Sequence, residues 1–161
     1  MTDVYKPHAE EYKERVIQIK RVSKKTKGGN KIGFTALVLV GNGAGKIGVA
    51  LGKAPDVSSA IQKGISKAKV DMTEVNLYGE TIPHEITHKH KSAMIKLRPA
   101  PEGSGIIAGG AVRHVIELVG ISNVSAKVLG STNKINNVRC TIEALSKMKH
   151  PMEKKNKNSE K

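Results

Sequence analysis

The chain has 161 residues, a formal net charge of +14 at pH 7 and a pI of about 9.9. That length can bury a real core, as one domain or two small ones, but the charge is far from that of an ordinary enzyme of this size. It points to nucleic acid or an anionic membrane surface, and no apolar run reaches the ~18 residues of a membrane span.

Other exclusions follow from single residues. The N-terminus is polar and acidic, at Glu10, Glu11 and Glu14, and reads as neither a secretory signal nor a transit peptide. Cys140 is the single cysteine, which rules out an internal disulfide and fits a reducing compartment. A soluble intracellular protein is expected. Trp is absent, and the aromatics are Tyr5, Tyr12, Phe34 and Tyr78. These are too few to stack unpaired bases as a main binding mode, so backbone and shape recognition of folded or duplex RNA fits better.

Residues 1–15 read as loosely ordered, with room for a short helix after Pro7. Val16–Val22 alternates weakly, with Ile17 and Ile19 on one face, and predicts a first strand. Ser23–Asn30 carries Gly28-Gly29 and predicts a loop. Phe34–Val40 is nearly all apolar, as a central strand is, and Gly41-Asn42-Gly43 predicts a tight hairpin turn into a third strand, Ile47–Leu51. Between Val16 and Pro55 lie eight basic residues, Lys20, Arg21, Lys24, Lys25, Lys27, Lys31, Lys46 and Lys53, and no Asp or Glu. Lysines on the loops of a hairpin sheet, with no acid to neutralise them, make a surface for a polyanion.

Asp56 is the expected N-cap of a helix whose Val57, Ala60, Ile61, Gly64, Ile65 and Ala68 form one apolar face. A first unit closes near Met72. With the leading helix its order is α-β-β-β-α, that of a double-stranded-RNA-binding domain, a likeness of topology only. Thr73–Gly79 reads as a connector, and Thr81–Thr87 and Ala93–Arg98 as strands. Pro99, Pro101, Gly103 and Gly105 break the chain before a helix with Val112, Val115, Ile116 and Val119 inward and Gly120 as its stop. Asn123–Leu129 predicts a short strand. The last helix, about Asn133–Met148, carries Ile135, Val138, Ile142 and Leu145 on one stripe, with Cys140 packing near it, and Pro151 follows. The tail beyond has no apolar period and is expected to be disordered. Basic residues divide evenly between the two halves, so both are expected to face the polyanion.

Three motifs compete with blander readings. His84-Glu85-Ile86-Thr87-His88 matches H-E-x-x-H, but Pro83 and the β-branched residues favour a strand. In a strand, positions four apart lie roughly 13 Å apart and cannot share a metal. Gly43–Gly48 contains G-x-G-x-x-G, yet a strand follows where a phosphate cradle needs a helix, so a turn is expected. Gly103–Gly110 does precede a helix, and a phosphate cradle is physically allowed there, although glycines admitting RNA or a partner protein explain it equally. Arg113, one turn in, is a candidate for phosphate or for an acid on a neighbour.

Two long motifs, RVSKKTKGGNKIGFTALVLVGNGAGKIGVALGKAPDVSSAIQKGISKAK and PEGSGIIAGGAVRHVIELVGISNVSAKVLGSTNKINNVRCTIEAL, closely resemble the two domains of the bacterial-type small-subunit ribosomal protein five family. The resemblance runs from about Tyr12 to Met148. The chain departs from the family at His88 and Ser92, where glycines are usual, and at Asn42, where Asp is usual. The resemblance implies an α+β fold, with a double-stranded-RNA-binding-like domain over 12–76 and a left-handed β-α-β domain over 80–149, flanked by a flexible N-terminus (1–11) and a disordered basic tail (150–161). It implies a cytoplasmic structural protein of the small subunit, not an enzyme, with no cofactor, membrane or small-molecule substrate. The implied partners are small-subunit rRNA, small-subunit proteins four and eight, and mRNA near the channel through which it enters. The implied RNA-binding residues are the eight basic ones with Ser23, Gly28 and Gly29. Val22, Ser23, Lys24 and Lys27-Gly28-Gly29 match a loop near the head–body junction that governs spectinomycin sensitivity. Gly105 and Arg113 match the contact with protein four that affects decoding accuracy. Two other readings remain open from the residues alone: a free-standing duplex-RNA adaptor, and a small phosphotransferase using Gly103–Gly110.

Overall fold

The computed structural model describes residues 11–149; the helix expected after Pro7 and the tail expected to be disordered from residue 150 lie outside them. The first half forms an antiparallel sheet of β1 (Lys13–Thr26), β2 (Gly29–Gly41), β3 (Lys46–Ala54) and β4 (Met72–Glu74), in that spatial order. Helix α1 (Val57–Val70) follows β3 and covers one face. Asp56 caps it as expected, its carboxylate accepting from the Ser59 amide at 2.9 Å. The helix lies very close to β3: a Cβ on Gly48 or Gly52 would collide with the carbonyls of Ala68 and Ala60.

The second half forms β5 (Ile86–His90), β6 (Ala93–Pro99), β7 (Ile106–Ile107), α2 (Gly110–Val119), β8 (Val124–Val128) and α3 (Lys134–Ser146). Its sheet has the order β5-β6-β8-β7, and β7 runs parallel to β8 across α2 as a β-α-β unit. The whole is an α+β fold. Val112, Val115, Ile116 and Val119 are buried, and Gly120 ends α2 at φ +96°. Val138, Ile142, Leu145 and Cys140 of α3 are buried as well. Among the described residues no helix is long and apolar enough to cross a membrane.

The apolar run of β2 has a two-sided cause. Ala36, Val38 and Val40 pack against Ala60 and Ala68 of α1. Leu37 and Leu39, pointing the opposite way, join Ile47, Ile95, Val115, Ile116 and Leu145 in one core with the second half. A strand buried on both faces loses its alternation.

Several expectations change. The predicted loop 23–30 is mostly paired strand, and the turn shrinks to Lys27-Gly28, because β1 and β2 stay in register out to Thr26 and Gly29. The turn after Gly41 is not a two-residue hairpin. The Asn42 side chain accepts from the amides of Ala44 and Lys46, at 2.9 and 3.0 Å, and closes a wider loop. That loop then grips the end of α2: the Gly43 amide donates to Leu118 O and the Gly45 amide to Val119 O. So the G-x-G-x-x-G glycines serve an internal joint, and Gly43 sits so near Gly120 that a Cβ there would strike its carbonyl. The connector 73–79 begins with the end of β4, and the strand expected at Thr81 starts only at Ile86.

Candidate nucleic-acid interface

β3 ends at Ala54, opposite Phe34, so among the described residues no third strand pairs with the stretch of β1 and β2 beyond it. Every residue from Ile19 to Ile32 is exposed, and the two strands project as a ribbon. Register decides which cations meet. Lys20 lies opposite Thr35, which lies opposite Lys53 on β3, and Lys24 lies opposite Lys31. These four lysines therefore share the face turned away from α1. Arg21, Ser23 and Lys25 share the other face with Ile32 and Phe34. Lys27, Gly28 and Gly29 form the tip, where a Cβ on either glycine would meet nothing within 4 Å.

Lys24 and Lys31 are a like-charge pair directly across two strands, an arrangement that destabilises a free ribbon. Beside them lies a hollow of about 370 Å³ lined by Val22, Lys24, Lys31, Phe34, Lys53 and Pro55. It takes residues from both faces of the ribbon, at the edge left open where β3 ends, so cations and apolar side chains border one space, which suits a phosphate with its sugar. Val22 and Ile32 are 47% and 41% exposed, so apolar contact is available between the charges.

Other expected residues lie elsewhere. Lys46 is at the far end of the sheet, opposite Glu74. Gly105, at φ +68°, is pinned to the start of β8: its amide donates to Asn123 Oδ1 at 3.1 Å and its carbonyl accepts from Val124. Arg113 pairs with an acid of its own helix, donating from Nε to Glu117 Oε1 at 2.9 Å. Arg15 of β1 reaches the other oxygen of Glu117 at 2.8 Å. The Arg113 hydrogen bond and the nearby Arg15 charge hold the Glu117 carboxyl below its ordinary range.

Two groupings have partners that the sequence does not show. Lys96 and Lys127 lie opposite each other on the outer face of the second sheet, with Arg98 on the same face. Glu85 pairs with Lys96 and Arg98 at 2.8 and 2.9 Å. The alternation of Lys96 and Arg98 with Ala93, Ile95 and Leu97 carried that signal. On the inner face of the same sheet, His88 and His90 both contact Glu143 of α3, at 3.1 and 2.8 Å. His84 lies before the strand, so the H-E-x-x-H segment is not helical. Among the described residues no three His, Cys, Asp or Glu are disposed to hold a metal ion.

Residues 12–76 match the family described as ribosomal protein S5, N-terminal domain, and residues 88–158 match ribosomal protein S5, C-terminal domain. The small ribosomal subunit protein uS5 of Buchnera aphidicola subsp. Cinara cedri (strain Cc) is 50% identical over 141 residues, spanning 88% of this chain and 86% of that protein. Matches to both domains in order, together with this identity over most of the length, establish that the chain belongs to the ribosomal protein S5 family.

Proposed function

We propose that the chain is a structural constituent of the cytoplasmic small ribosomal subunit, anchored on small-subunit rRNA by the β1–β2 ribbon. The observation that carries the ribbon's part is its register, which gathers Lys20, Lys24, Lys31 and Lys53 on one exposed face with no acid in the segment. The mechanism is phosphate neutralisation with counterion release, and the contacting side chains start from a fixed strand geometry. A cluster of about six phosphate contacts would lose roughly a thousandfold in affinity between 50 and 200 mM salt.

The finer assignments belong to the same reading. The units over 12–76 and 80–149 act as its two domains. Ribbon residues Val22, Ser23, Lys24, Lys27, Gly28 and Gly29 approach the head–body junction, where changes alter spectinomycin sensitivity. The region of Gly105 and Arg113 meets protein four and bears on decoding accuracy, and protein eight is a second neighbour. Basic residues of the first half reach mRNA where it enters. The role is structural, not enzymatic.

The test is rRNA binding by Lys24→Glu plus Lys27→Glu. Losing two phosphate contacts is expected to lower the slope of log affinity against log salt by about two. Unchanged affinity and slope would remove the ribbon from the interface. Sedimentation separates this reading from a free duplex-RNA adaptor: the chain is expected with the small subunit at physiological and high salt, and an adaptor would stay at the top of the gradient.

A further inference from the structure

We infer that the hollow where β3 leaves the ribbon holds one nucleotide extruded from the bound RNA, with its base against Phe34 and its flanking phosphates on Lys24, Lys31 and Lys53. The inference rests on the ribbon's role in binding RNA and goes one step past it, to the shape of RNA that fits: a helix with an unpaired nucleotide rather than an unbroken duplex. At about 370 Å³ the hollow is at the lower end of small-molecule sites, enough for one nucleotide and too small for paired strands.

The hollow exists because β3 stops short. It pairs with β2 as far as Phe34, and the chain then turns away through Pro55 into α1. Before Phe34 the edge of β2 has no third strand among the described residues, so it presents backbone N–H and C=O groups, as a strand edge does. The edge of a base carries the same kinds of donor and acceptor. Gly33 lies on that edge opposite Val22 and has no side chain to fill the space. A Cβ there would lie 3.8 Å from Val22 Cγ2 and 3.3 Å from Ala54 O.

The cations bracket this space. Lys24 and Lys31 face each other at one end, and Lys53, opposite Thr35, stands at the other. Lys31 and Thr35 are roughly 13 Å apart along the strand, and long lysine side chains shorten that span, so the phosphates on either side of one nucleotide each have a cation. No carboxylate lines the hollow. Phe34 is partly buried against the α1 core, which holds its ring in place where it borders the hollow. One aromatic is too few to read a run of bases but suffices for a single base, and Val22, Ile32 and Pro55 complete the apolar border. That border favours a flat ring over the carboxylates of an acidic peptide, the other polyanion that an open strand edge takes.

The full chain is titrated with three RNA hairpins over a range of salt: one unbroken, one with a single unpaired adenosine, and one with an abasic ribose in its place. The adenosine bulge is expected to bind at least about fivefold tighter than either of the others. The abasic hairpin keeps the break in the helix and the phosphates, so equal binding of the two bulges overturns the inference, as does equal binding of all three. In both of those cases a steep salt dependence leaves the ribbon's RNA binding standing, whereas no salt-dependent binding of any hairpin removes both. Phe34→Leu keeps an apolar side chain toward α1 and removes the ring, and Val22→Asn changes a residue that is 47% exposed. Each is expected to cut the preference for the adenosine bulge while the slope of log affinity against log salt stays that of the native chain. The unchanged slope separates a lost base contact from a deformed ribbon. A preference that survives both substitutions overturns the inference, and so does tighter binding of a glutamate-rich peptide than of any hairpin.

Discussion

Leu39→Ala tests whether the two halves share one core. Leu39 is fully buried on the face of β2 turned toward the second half, while its neighbour Val38 is fully buried against α1. Truncating a buried leucine removes its transfer free energy and leaves a cavity, together about 2–5 kcal/mol. Against a typical stability of about 5–15 kcal/mol this is a large fraction. Its core partners include Ile95, Ile116 and Leu145, so the loss is expected in both halves. Hydrogen exchange reads it directly: slow amides in α1 and in α3 should both speed up, by about thirtyfold to a few thousandfold. Cys140 gives a second probe. It is buried in α3, and burial pushes its thiol pKa up, so labelling reports opening of the second half. Faster exchange in α1 with unchanged exchange in α3 and unchanged Cys140 labelling would refute the shared core.

Three further outcomes are expected. Gly120→Ala combines a left-handed backbone at φ +96° with a collision at the Gly43 carbonyl, so thermal unfolding should show a loss of about 1–3 kcal/mol or more, and Gly79→Ala, with nothing within 4 Å, a smaller one. Burial opposes ionisation of Glu143, but the hydrogen bonds from His88 and His90 outweigh it and lower its pKa below 4.5. A depressed carboxylate contributes stability above its unfolded value and loses it as pH falls through the folded one. The stability gap between the native chain and Glu143→Gln should therefore narrow as denaturation is measured from about pH 6 down to about pH 3. Lys31→Glu turns the Lys24–Lys31 pair into an attractive one, so the free chain should gain about 0.2–1 kcal/mol in urea titrations while rRNA binding weakens.

Much of the fold was legible because local chemistry and tertiary packing agree. The Asp56 cap, the inward stripe of α2 and the Gly120 stop are each set by residues within a turn or two of their effect. The misreadings came from longer-range causes. Lys24 and Lys25 look like loop residues by composition, and become strand because β1 and β2 continue in register past the end of β3. The Gly41–Lys46 turn looks like an ordinary Asn-Gly hairpin, and is reshaped by the Asn42 side chain and by α2, some 75 positions later in the chain, whose Leu118 and Val119 carbonyls it caps. Charge was legible as a total and its arrangement was not. Only the register shows that Lys20, Lys24, Lys31 and Lys53 meet, and that Lys46 does not join them.

The ribbon and the core depend on each other. A two-stranded hairpin is at best marginally stable in water, and this one carries a like-charge pair and exposes both faces. It holds its shape because the same two strands run on into a sheet buried by α1 on one side and by the second half on the other. The lysine positions are thus fixed by packing that lies several residues away from any of them. Ordering a free lysine loop would consume part of the gain from each phosphate contact, and here much of the backbone part of that entropy is lost on folding. The same reasoning explains why the first half is poorly suited to act alone. Without the second half, Leu37, Leu39 and Ile47 would face water, and the sheet that fixes the ribbon would lose the packing on one of its sides.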